Sequence, residues 1–242
     1  MVLIKKSDIK KTTFAPFLMK ISALIFLTLL SSMVAFGQKS TDLKRPIKKD
    51  NLVIDLTYDG LINHPNGVSF YFGYGASFQG MIDLPLNSKV MNGAFGVAFS
   101  NSNYYNNGYP FHKDTSGNDY TQFYPIPSDS SYKRSKFVTN YLDFPFELRF
   151  RSTPNAKGHS WKASAGFRVG VKLGSRNKVI TSDNKFVNYD QPNVIRTRYG
   201  ITGRVGYGRV GLVGYYSLTT LFTPEKGHEM IPFSLGMTIS PF

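Results

Sequence analysis

Beyond the first fifty residues, apolar and polar positions alternate along the chain, and clusters of Gly, Asn, Pro and Asp interrupt the alternation. In the stretch 160–174, Trp161 and Phe167 fall on one face, whereas Lys162 and Arg168 fall on the other. A period of two residues is typical of a strand with two different faces. The segments that show this period are 51–59, 69–84, 90–103, 138–151, 160–174, 196–207, 210–221 and 231–240. The pattern therefore predicts an all-β fold with eight strands.

The connections between these strands differ in length in a regular way. The short ones are 85–89, 152–158 and 207–209, the medium ones are 60–68 and 222–230, and the long ones are 104–136 and 177–194. Short turns at one end, long loops at the other and an even strand number are typical of bacterial outer-membrane barrels. We therefore predict an eight-stranded antiparallel transmembrane β-barrel, an up-and-down meander over 51–242, in the outer membrane with both termini periplasmic.

The alternative is a secreted soluble barrel or sandwich, which also alternates but keeps its large apolar groups inside. Here the polar face is rich in Gly, Ser and Ala, as a cramped polar lumen requires. Aromatic residues near strand ends indicate membrane interfaces. The predicted girdle comprises Phe150, Trp161, Tyr207 and Phe242 at the periplasmic end, and Tyr58, Phe72, Phe137, Tyr216 and Phe222 toward the other. The apolar face is accordingly expected to point outward, into lipid.

The N-terminal region has the pattern of an export signal. Residues 21–36 are almost entirely apolar or small, follow Lys20 and precede Gly37. This run is shorter than the roughly 20 residues of a spanning helix, and Ala35 and Gly37 suit the cleavage site of a secretory signal peptide. We predict a signal peptide over 1–37, followed by a flexible periplasmic lead-in over 38–50.

Composition excludes several classes of site and partner. The chain has no Cys, which removes disulfides, thiolate metal sites and cysteine nucleophiles. Of the net charge of +14, five lysines against one aspartate in 1–37 account for +4. The remaining cations are scattered and form no recognition motif, so no nucleic-acid partner is expected.

Charged residues on the polar face form the main candidate site. Five acids share this face with eight bases: Asp55, Asp59, Asp83, Asp143 and Glu147, with Arg149, Arg151, Lys162, Arg168, Lys172, Arg196, Arg198 and Arg204. Eight strands leave an interior just wide enough for side chains, and buried charges persist when they are paired. We predict a packed lumen network of Asp55, Asp143, Glu147, Arg149, Lys162, Arg168, Lys172 and Arg204.

The register of the network can also be predicted. With a turn near residue 155, opposite residues on consecutive antiparallel strands have numbers that sum to about 310. Glu147 then lies opposite position 163, with Lys162 and Ser164 as its neighbours. Arg168 lies opposite position 142, which makes Asp143 its expected partner.

Other motifs offer weaker chemistry. Residues 206–211 match G-x-G-x-x-G, but a strand follows them rather than a helix, so a hairpin is predicted instead of a dinucleotide site. The histidines fall in predicted loops without metal-ligand spacing, and we expect no metal or cofactor: His64, His112, His159 and His228. Two functional alternatives remain: a lipid-A-directed hydrolase using Ser217, His228 and Glu229, and a narrow anion-selective channel.

Several segments resemble the small outer-membrane β-barrel proteins of Bacteroidetes, including the PorT-like family. The resemblance is carried by the segments 140–151 (NYLDFPFELRFR), 165–170 (AGFRVG) and 199–208 (YGITGRVGYG), and by the terminal Phe242. Pro241 departs from the family pattern because it places Phe242 out of phase with the preceding apolar positions. We expect a non-enzymatic structural or interaction scaffold of the cell envelope, and the resemblance adds an accessory role in type IX-like protein secretion as one form that this function can take. Its expected partners are the lipopolysaccharide leaflet and an envelope protein, which the long loop 104–136 is suited to recognise.

Overall fold

The computed structural model describes residues 51–240, apart from 87, 89, 116–117, 128–131 and 183. The predicted signal peptide 1–37, the lead-in 38–50 and Phe242 lie outside the described residues. The strands of the described part are β1 (Leu52–Ile62), β2 (Phe70–Tyr71), β3 (Gly73–Pro85), β4 (Met91–Asn106), β5 (Gly108–Thr115), β6 (Asn118–Pro125), β7 (Tyr132–Arg151), β8 (Trp161–Thr181), β9 (Lys185–Tyr189), β10 (Thr197–Tyr207), β11 (Val210–Ser217) and β12 (Ile231–Ile239). None of the described residues belongs to a helix that is long and apolar enough to cross a membrane.

Eight of these strands form a closed antiparallel barrel. The order around the barrel is β1, β3, β4, β7, β8, β10, β11 and β12. The first and last strands pair with each other, from Ile54 opposite Ile239 to Ile62 opposite Ile231. The predicted eight-stranded meander is confirmed, because every strand pairs with its neighbours in chain order and the last pairing removes the sheet edges.

The two faces of the barrel wall have opposite polarity. Large apolar side chains point outward, and Leu56, Phe78, Phe146, Leu212 and Leu235 each expose more than half of their surface. The alternate positions point inward and carry the buried polar residues. In water this large exposed apolar surface would be unfavourable, whereas in lipid it is not. The arrangement therefore suits a barrel wall that is surrounded by lipid.

At one end of the barrel, consecutive strands are joined by tight turns. The β10–β11 hairpin is the tightest, with Tyr207 opposite Val210 and only Gly208 and Arg209 between them. Gly208 has a φ of 65°, a backbone conformation that favours glycine. The G-x-G-x-x-G match at 206–211 is therefore a hairpin, as its context in the sequence predicts.

The other end is more ordered than predicted. The segment 104–136, expected to be a long loop, contains the β5–β6 hairpin, and both β4 and β7 extend into it. The segment 177–194 likewise contains the end of β8 and the whole of β9. Short strands interrupted by Asn, Gly and Pro lack the sustained alternation from which the barrel strands are predicted.

This end of the molecule encloses its own apolar core. Its buried members come from three barrel strands, from β6, and from three connections: Leu61, Val68, Tyr104, Phe123, Phe137, Val194, Leu221, Phe222 and Met230. We call this core and the segments that carry it the cap. Phe137 is 0% exposed and Phe222 1% exposed, so their predicted place in the aromatic girdle was wrong. They face the inside of the cap rather than lipid.

Candidate functional site

Carboxylates and guanidinium groups alternate through the barrel lumen in one continuous chain. In order of contact, its members are Asp83, Arg149, Glu147, Arg204, Asp55, Arg168, Asp143 and Arg198. They come from β1, β3, β7, β8 and β10, on inward-facing positions of the wall. Four acids balance four bases, so these eight side chains together carry no net charge. We call it the lumen chain.

The lower half of the lumen chain begins near the short turns. Arg149 Nη1 donates to Asp83 Oδ1 at 2.8 Å, and Arg149 Nε donates to Glu147 Oε2 at 3.0 Å. Glu147 also accepts a hydrogen bond from Arg204. Arg204 Nη2 in turn donates to Asp55 Oδ2 at 2.9 Å, which links β10 to β1 across the lumen. Arg149, Glu147 and Arg204 therefore each lie between two charges of opposite sign.

The upper half of the lumen chain centres on Asp143, which is fully buried. Its two oxygens accept from Arg198, at 3.2 Å from Nε and 2.8 Å from Nη2. Ser100 Oγ donates to the same carboxylate at 2.5 Å. Arg168 lies farther away, 3.6 Å from Asp143 and 3.8 Å from Asp55. Bidentate contact with a guanidinium is the stronger geometry, so Arg198 is the principal partner of Asp143.

The observed register differs from the predicted one by three residues. Glu147 lies opposite Gly166 rather than position 163, and Arg168 lies opposite Pro145 rather than position 142. Asp143 and Arg168 still contact each other because long side chains reach diagonal neighbours. Glu147 instead pairs within its own strand, with Arg149, and across the lumen, with Arg204. The predicted register was therefore wrong, because Gly166, and not the position between Lys162 and Ser164, lies directly opposite Glu147.

Two lysines of the predicted network lie at opposite ends of the barrel. Lys162 lines a cavity at the short-turn end, together with Glu147 and Arg204. Lys172 lies toward the other end, where its Nζ is 3.6 Å from Asp190, a residue with a side chain that is 86% exposed. Arg196, which the strand pattern also placed on the polar face, precedes β10 and is exposed. Asp55, Asp143, Glu147, Arg149, Arg168 and Arg204 are the predicted members that the lumen chain brings together.

Asp83 and Arg198 are the two members of the lumen chain that the predicted network lacks, and Arg198 holds the buried acid Asp143. Its guanidinium carbon lies 4.0 Å from the centre of the Tyr141 ring and 5.4 Å from that of Tyr215. The Tyr141 hydroxyl donates to the carbonyl of Ile195 at 2.8 Å, which fixes the ring. Stacking on aromatic rings stabilises a desolvated guanidinium. The signal in the sequence is Arg198 on the inward phase of its strand with Thr202 and Arg204.

Glycines opposite the carboxylates leave room for the lumen chain. A β-carbon added to Gly170 would come within 2.0 Å of Asp143 Oδ1. One added to Gly166 would come within 2.8 Å of Glu147 Cγ. Both glycines face the lumen directly across from the acid that they accommodate. The Gly-rich character of the polar face is therefore a space requirement of the buried acids.

Three cavities that described residues line inside the barrel are small. One of about 30 Å³ lies between Arg168, Arg198 and Tyr215, and one of about 10 Å³ lies below the cap beside Tyr104. The cavity at the short-turn end has a volume of about 50 Å³. Pockets for organic ligands are roughly 300 Å³ or more. These cavities suit a few water molecules, and the lumen chain fills the space around them.

Comparison with known families agrees with this barrel architecture. The family model of the outer membrane protein beta-barrel domain matches residues 50–223, most of the chain. The chain belongs to this family. No curated protein matches the chain. As a member of an outer-membrane barrel family, the protein is placed in the outer membrane, and its exposed apolar wall faces lipid.

Aromatic residues of this outer-membrane barrel cluster at the short-turn end. Trp161 is 64% exposed and lies directly opposite Tyr207, with 5.3 Å between their ring centres. Phe150 is exposed nearby, while Tyr216 is 39% exposed on β11, toward the cap. Tyr58 and Phe72, predicted for the girdle at the other end, are exposed, and Phe242 lies outside the described residues. Exposed rings at this level of the wall suit the boundary between lipid and water.

The residues considered for hydrolysis do not meet in this outer-membrane barrel. Ser217 is buried, and its hydroxyl donates to the carbonyl of Thr219 at 2.8 Å. Within the described part of the chain, neither His228 nor Glu229 forms a hydrogen bond with it. Nor do the described residues contain a group of three His, Asp or Glu that could hold a metal ion.

Proposed function

We propose that this outer-membrane barrel is a non-enzymatic scaffold of the cell envelope, whose cap binds an envelope protein. The observation that carries the proposal is the closed interior, in which the lumen chain fills the barrel and the apolar cap covers one mouth. A filled barrel presents rigid outer surfaces rather than a passage. An accessory role in protein secretion, as the resemblance to the PorT-like group implies, is the form of this function that we favour.

The outer face of the β5–β6 hairpin is the surface that we propose for protein binding. Tyr109, Phe111 and Tyr124 are 40%, 49% and 40% exposed on this face. Tyr124 contacts both other rings, with centroid distances of 6.2 Å to Tyr109 and 6.0 Å to Phe111. Tyrosine and phenylalanine are enriched at the centres of protein interfaces because they bury large areas with few rotatable bonds.

The hairpin is held in place by the rest of the cap, so its aromatic face is preorganised. The side-chain nitrogen Nδ2 of Asn193 donates to Asp119 Oδ1 at 3.0 Å and to Thr121 Oγ1 at 3.1 Å. The backbone N–H of Thr121 donates to the carbonyl of Lys226 at 3.0 Å. On its inner face, Phe123 is buried in the cap core. Less conformational entropy is lost when a partner binds a surface that is already ordered.

Site-specific photo-cross-linking tests the proposed binding face. A photoreactive residue at Phe111 is expected to give one discrete protein adduct in native outer membranes, and one at Lys157, in the turn at the other end, is not. Phe111→Ser with Tyr124→Ser should abolish the adduct formed from a probe at Tyr109. The control variant Gln122→Ser, on the same face, should retain it. Equal adducts from all variants would refute this face as the binding site.

Planar bilayers test the closed interior. We expect no discrete ion conductance from the purified barrel, because the lumen chain leaves cavities of only tens of Å³. Anion-selective conductance that disappears in Arg198→Met would instead assign the protein to the channels. Zinc-independent release of acyl chains from lipid A by the same preparation would favour the hydrolase.

The proposed orientation places the short turns and both termini in the periplasm. Short periplasmic turns and longer extracellular segments are the general arrangement of such barrels. The chain has no Cys, so single cysteines give clean labels. A membrane-impermeant maleimide should label Lys113→Cys on intact cells, and Lys157→Cys only after the outer membrane is permeabilised. The reverse pattern would overturn the orientation.

A further inference from the structure

Four cations lie together on the outer face of β7 and β8, where these strands extend beyond the lipid-exposed part of the barrel. They are Arg134 and Lys136 on β7, and Arg176 and Lys178 on β8. Lys136 lies directly opposite Lys178, and Arg176 lies two residues before Lys178, on the same face. We call these four residues the basic cluster.

The basic cluster lacks the carboxylate partners that the arginines of the lumen chain have. Among the described residues, no carboxylate oxygen lies within 4.0 Å of any of its four side chains. Partial burial lowers the pKa of Lys136, and the neighbouring charges of Arg176, Lys178 and Arg134 lower it further. Like charges directly opposite each other destabilise a sheet. A bound anion would convert this repulsion into attraction.

An aromatic ring positions two members of the cluster. Tyr105 on β4 lies opposite Lys136, on the side away from Lys178. The centre of its ring is 5.6 Å from the guanidinium carbon of Arg134 and 5.8 Å from Lys136 Nζ. Contacts of this kind stabilise cations near a ring while leaving their other donors available. The row across the wall is therefore Tyr105, Lys136 and Lys178, all facing outward.

The height of the basic cluster indicates what kind of anion it meets. On β8, Leu173 is 57% exposed and is the last large apolar residue of the outward face before Arg176, three residues later. At the rise of a strand, three residues correspond to roughly 10 Å. Tyr189 of β9 lies opposite Arg176 and is 71% exposed. Cations therefore begin where the apolar wall ends, at the level of lipid headgroups.

We infer that the basic cluster binds the phosphate groups of a phosphorylated glycolipid of the outer leaflet, the lipid A part of lipopolysaccharide. Guanidinium groups match phosphate oxygens in pairs, and lysines add compact charge. The acyl chains of the same lipid would lie along the outward face below, against Leu173 and Val171. The inference relies on the proposed orientation, which places this end in the outer leaflet.

Binding of lipid A to the purified mature barrel in neutral detergent tests the inference. The variant with Lys136→Gln, Arg176→Gln and Lys178→Gln is compared with a control that loses three other exposed cations, Lys113→Gln, Lys157→Gln and Arg209→Gln. Each cation near a lipid surface contributes about a fivefold effect, so loss of three cations should weaken the binding of bis-phosphorylated lipid A roughly 100-fold. The control variant should bind like the parent protein.

Three further arms identify the ligand. Dephosphorylated lipid A should bind the parent protein as weakly as bis-phosphorylated lipid A binds the cluster variant. Excess inorganic phosphate should not displace the lipid, whereas displacement would indicate a site for free phosphate and overturn the lipid assignment. Lys136→Arg with Lys178→Arg should retain binding, because the charge is kept. Unchanged binding by the cluster variant, or equal loss in the control variant, would overturn the inference.

The outcome is separable from that of the proposed function. The lipid measurement uses the isolated barrel and the outer face of β7 and β8, whereas the cross-linking experiment uses the β5–β6 hairpin in native membranes. A protein that lacks a partner at Phe111 could still lose lipid A binding in the cluster variant. The maleimide experiment tests the orientation independently of both.

Discussion

The barrel and the cap are built from one chain by opposite rules. In the barrel, Asp143 is fully buried and Leu235 is 60% exposed, whereas in the cap Phe137 is fully buried and the charged Asp119 lies at the surface. The barrel wall faces lipid, so its apolar side chains need no burial and its charges must find partners inside. The cap faces water, so its apolar side chains gather. The difference shows that the surrounding solvent, rather than the strand itself, decides which face turns inward.

The largest effect is expected from removing the central acid of the lumen chain. Asp143→Ala leaves Arg198 and Arg168 buried without their shared carboxylate, which should cost about 3–5 kcal/mol. The midpoint of denaturant unfolding in detergent micelles measures the loss. The control is Asp190→Ala, which removes the exposed partner of Lys172 and should cost less than about 1 kcal/mol. Equal losses would show that water screens the lumen.

A second change at Arg198 sharpens this result. Asp143→Ala with Arg198→Met should recover part of the stability, because the orphaned guanidinium is removed together with its acid. Asp143→Ala with Arg168→Met should recover less, since Arg168 is 3.6 Å from Asp143 and also contacts Asp55. If both double variants recover equally, the two arginines share the acid evenly.

Arginine on the outer face distinguishes lipid from water as the neighbour. Val171→Arg, on the outward face of β8, should hinder insertion and cost ~2–4 kcal/mol near the bilayer midplane. Phe111→Arg, on the outer face of the cap hairpin, should stay within about 0.5 kcal/mol of the parent protein. Heat-modifiable migration in gels reports the folded fraction of each. A harmless Val171→Arg would contradict the lipid-facing wall.

A smaller effect is expected in the cap core. Val68 is 2% exposed there, and Val68→Ala removes the equivalent of two buried methylene groups, about 1.5 kcal/mol. The cap should open more often while the barrel stays closed, so proteolysis of the β5–β6 hairpin should accelerate without a change in the barrel's unfolding midpoint. A matching fall in that midpoint would show that cap and barrel unfold as one unit.

The smallest effect concerns acid pH. The hydrogen bond from Asn193 lowers the pKa of Asp119 below its ordinary 3.8, and the charges of His112 and Lys226 add to this. A lowered carboxyl pKa stabilises the cap at pH values above 3.8, and this stabilisation is lost as the pH falls through the lower folded value. Hairpin proteolysis by an acid-active protease should therefore accelerate below pH 3.8 in the parent protein. In Asp119→Asn, the rate should lack this dependence.

The sequence was sufficient for the barrel because its strands obey a single period. Alternation of large apolar with small or charged residues, as in Trp161 to Leu173, identifies both the strand and its outward face. The same alternation also predicts which charged residues face inward, and these include most members of the lumen chain. The register was three residues off because the turn between Arg151 and Lys162 is centred beyond the assumed position.

The cap could not be predicted in this way. Its core joins residues as far apart as Leu61 and Met230, and each contributing segment carries only one to three of them. The predicted contact between Asp143 and Arg168 is present, but the principal partner of Asp143 was missed, because Arg198 reaches it from β10, which does not pair with β7. Contacts across a lumen or between distant loops depend on the closed three-dimensional arrangement rather than on any local pattern.

The lumen chain has a consequence for how the protein reaches its folded state. Asp55 of β1 binds Arg204 of β10, and these residues are 149 positions apart in the chain. Contacts so distant in sequence form late, since long loops must close first. Until β1 pairs with β12, the charged inward face of the sheet remains open, and its exposure to lipid hydrocarbon would be unfavourable. We therefore expect membrane insertion to be coupled to ring closure, with the charged face kept in water until β1 and β12 pair.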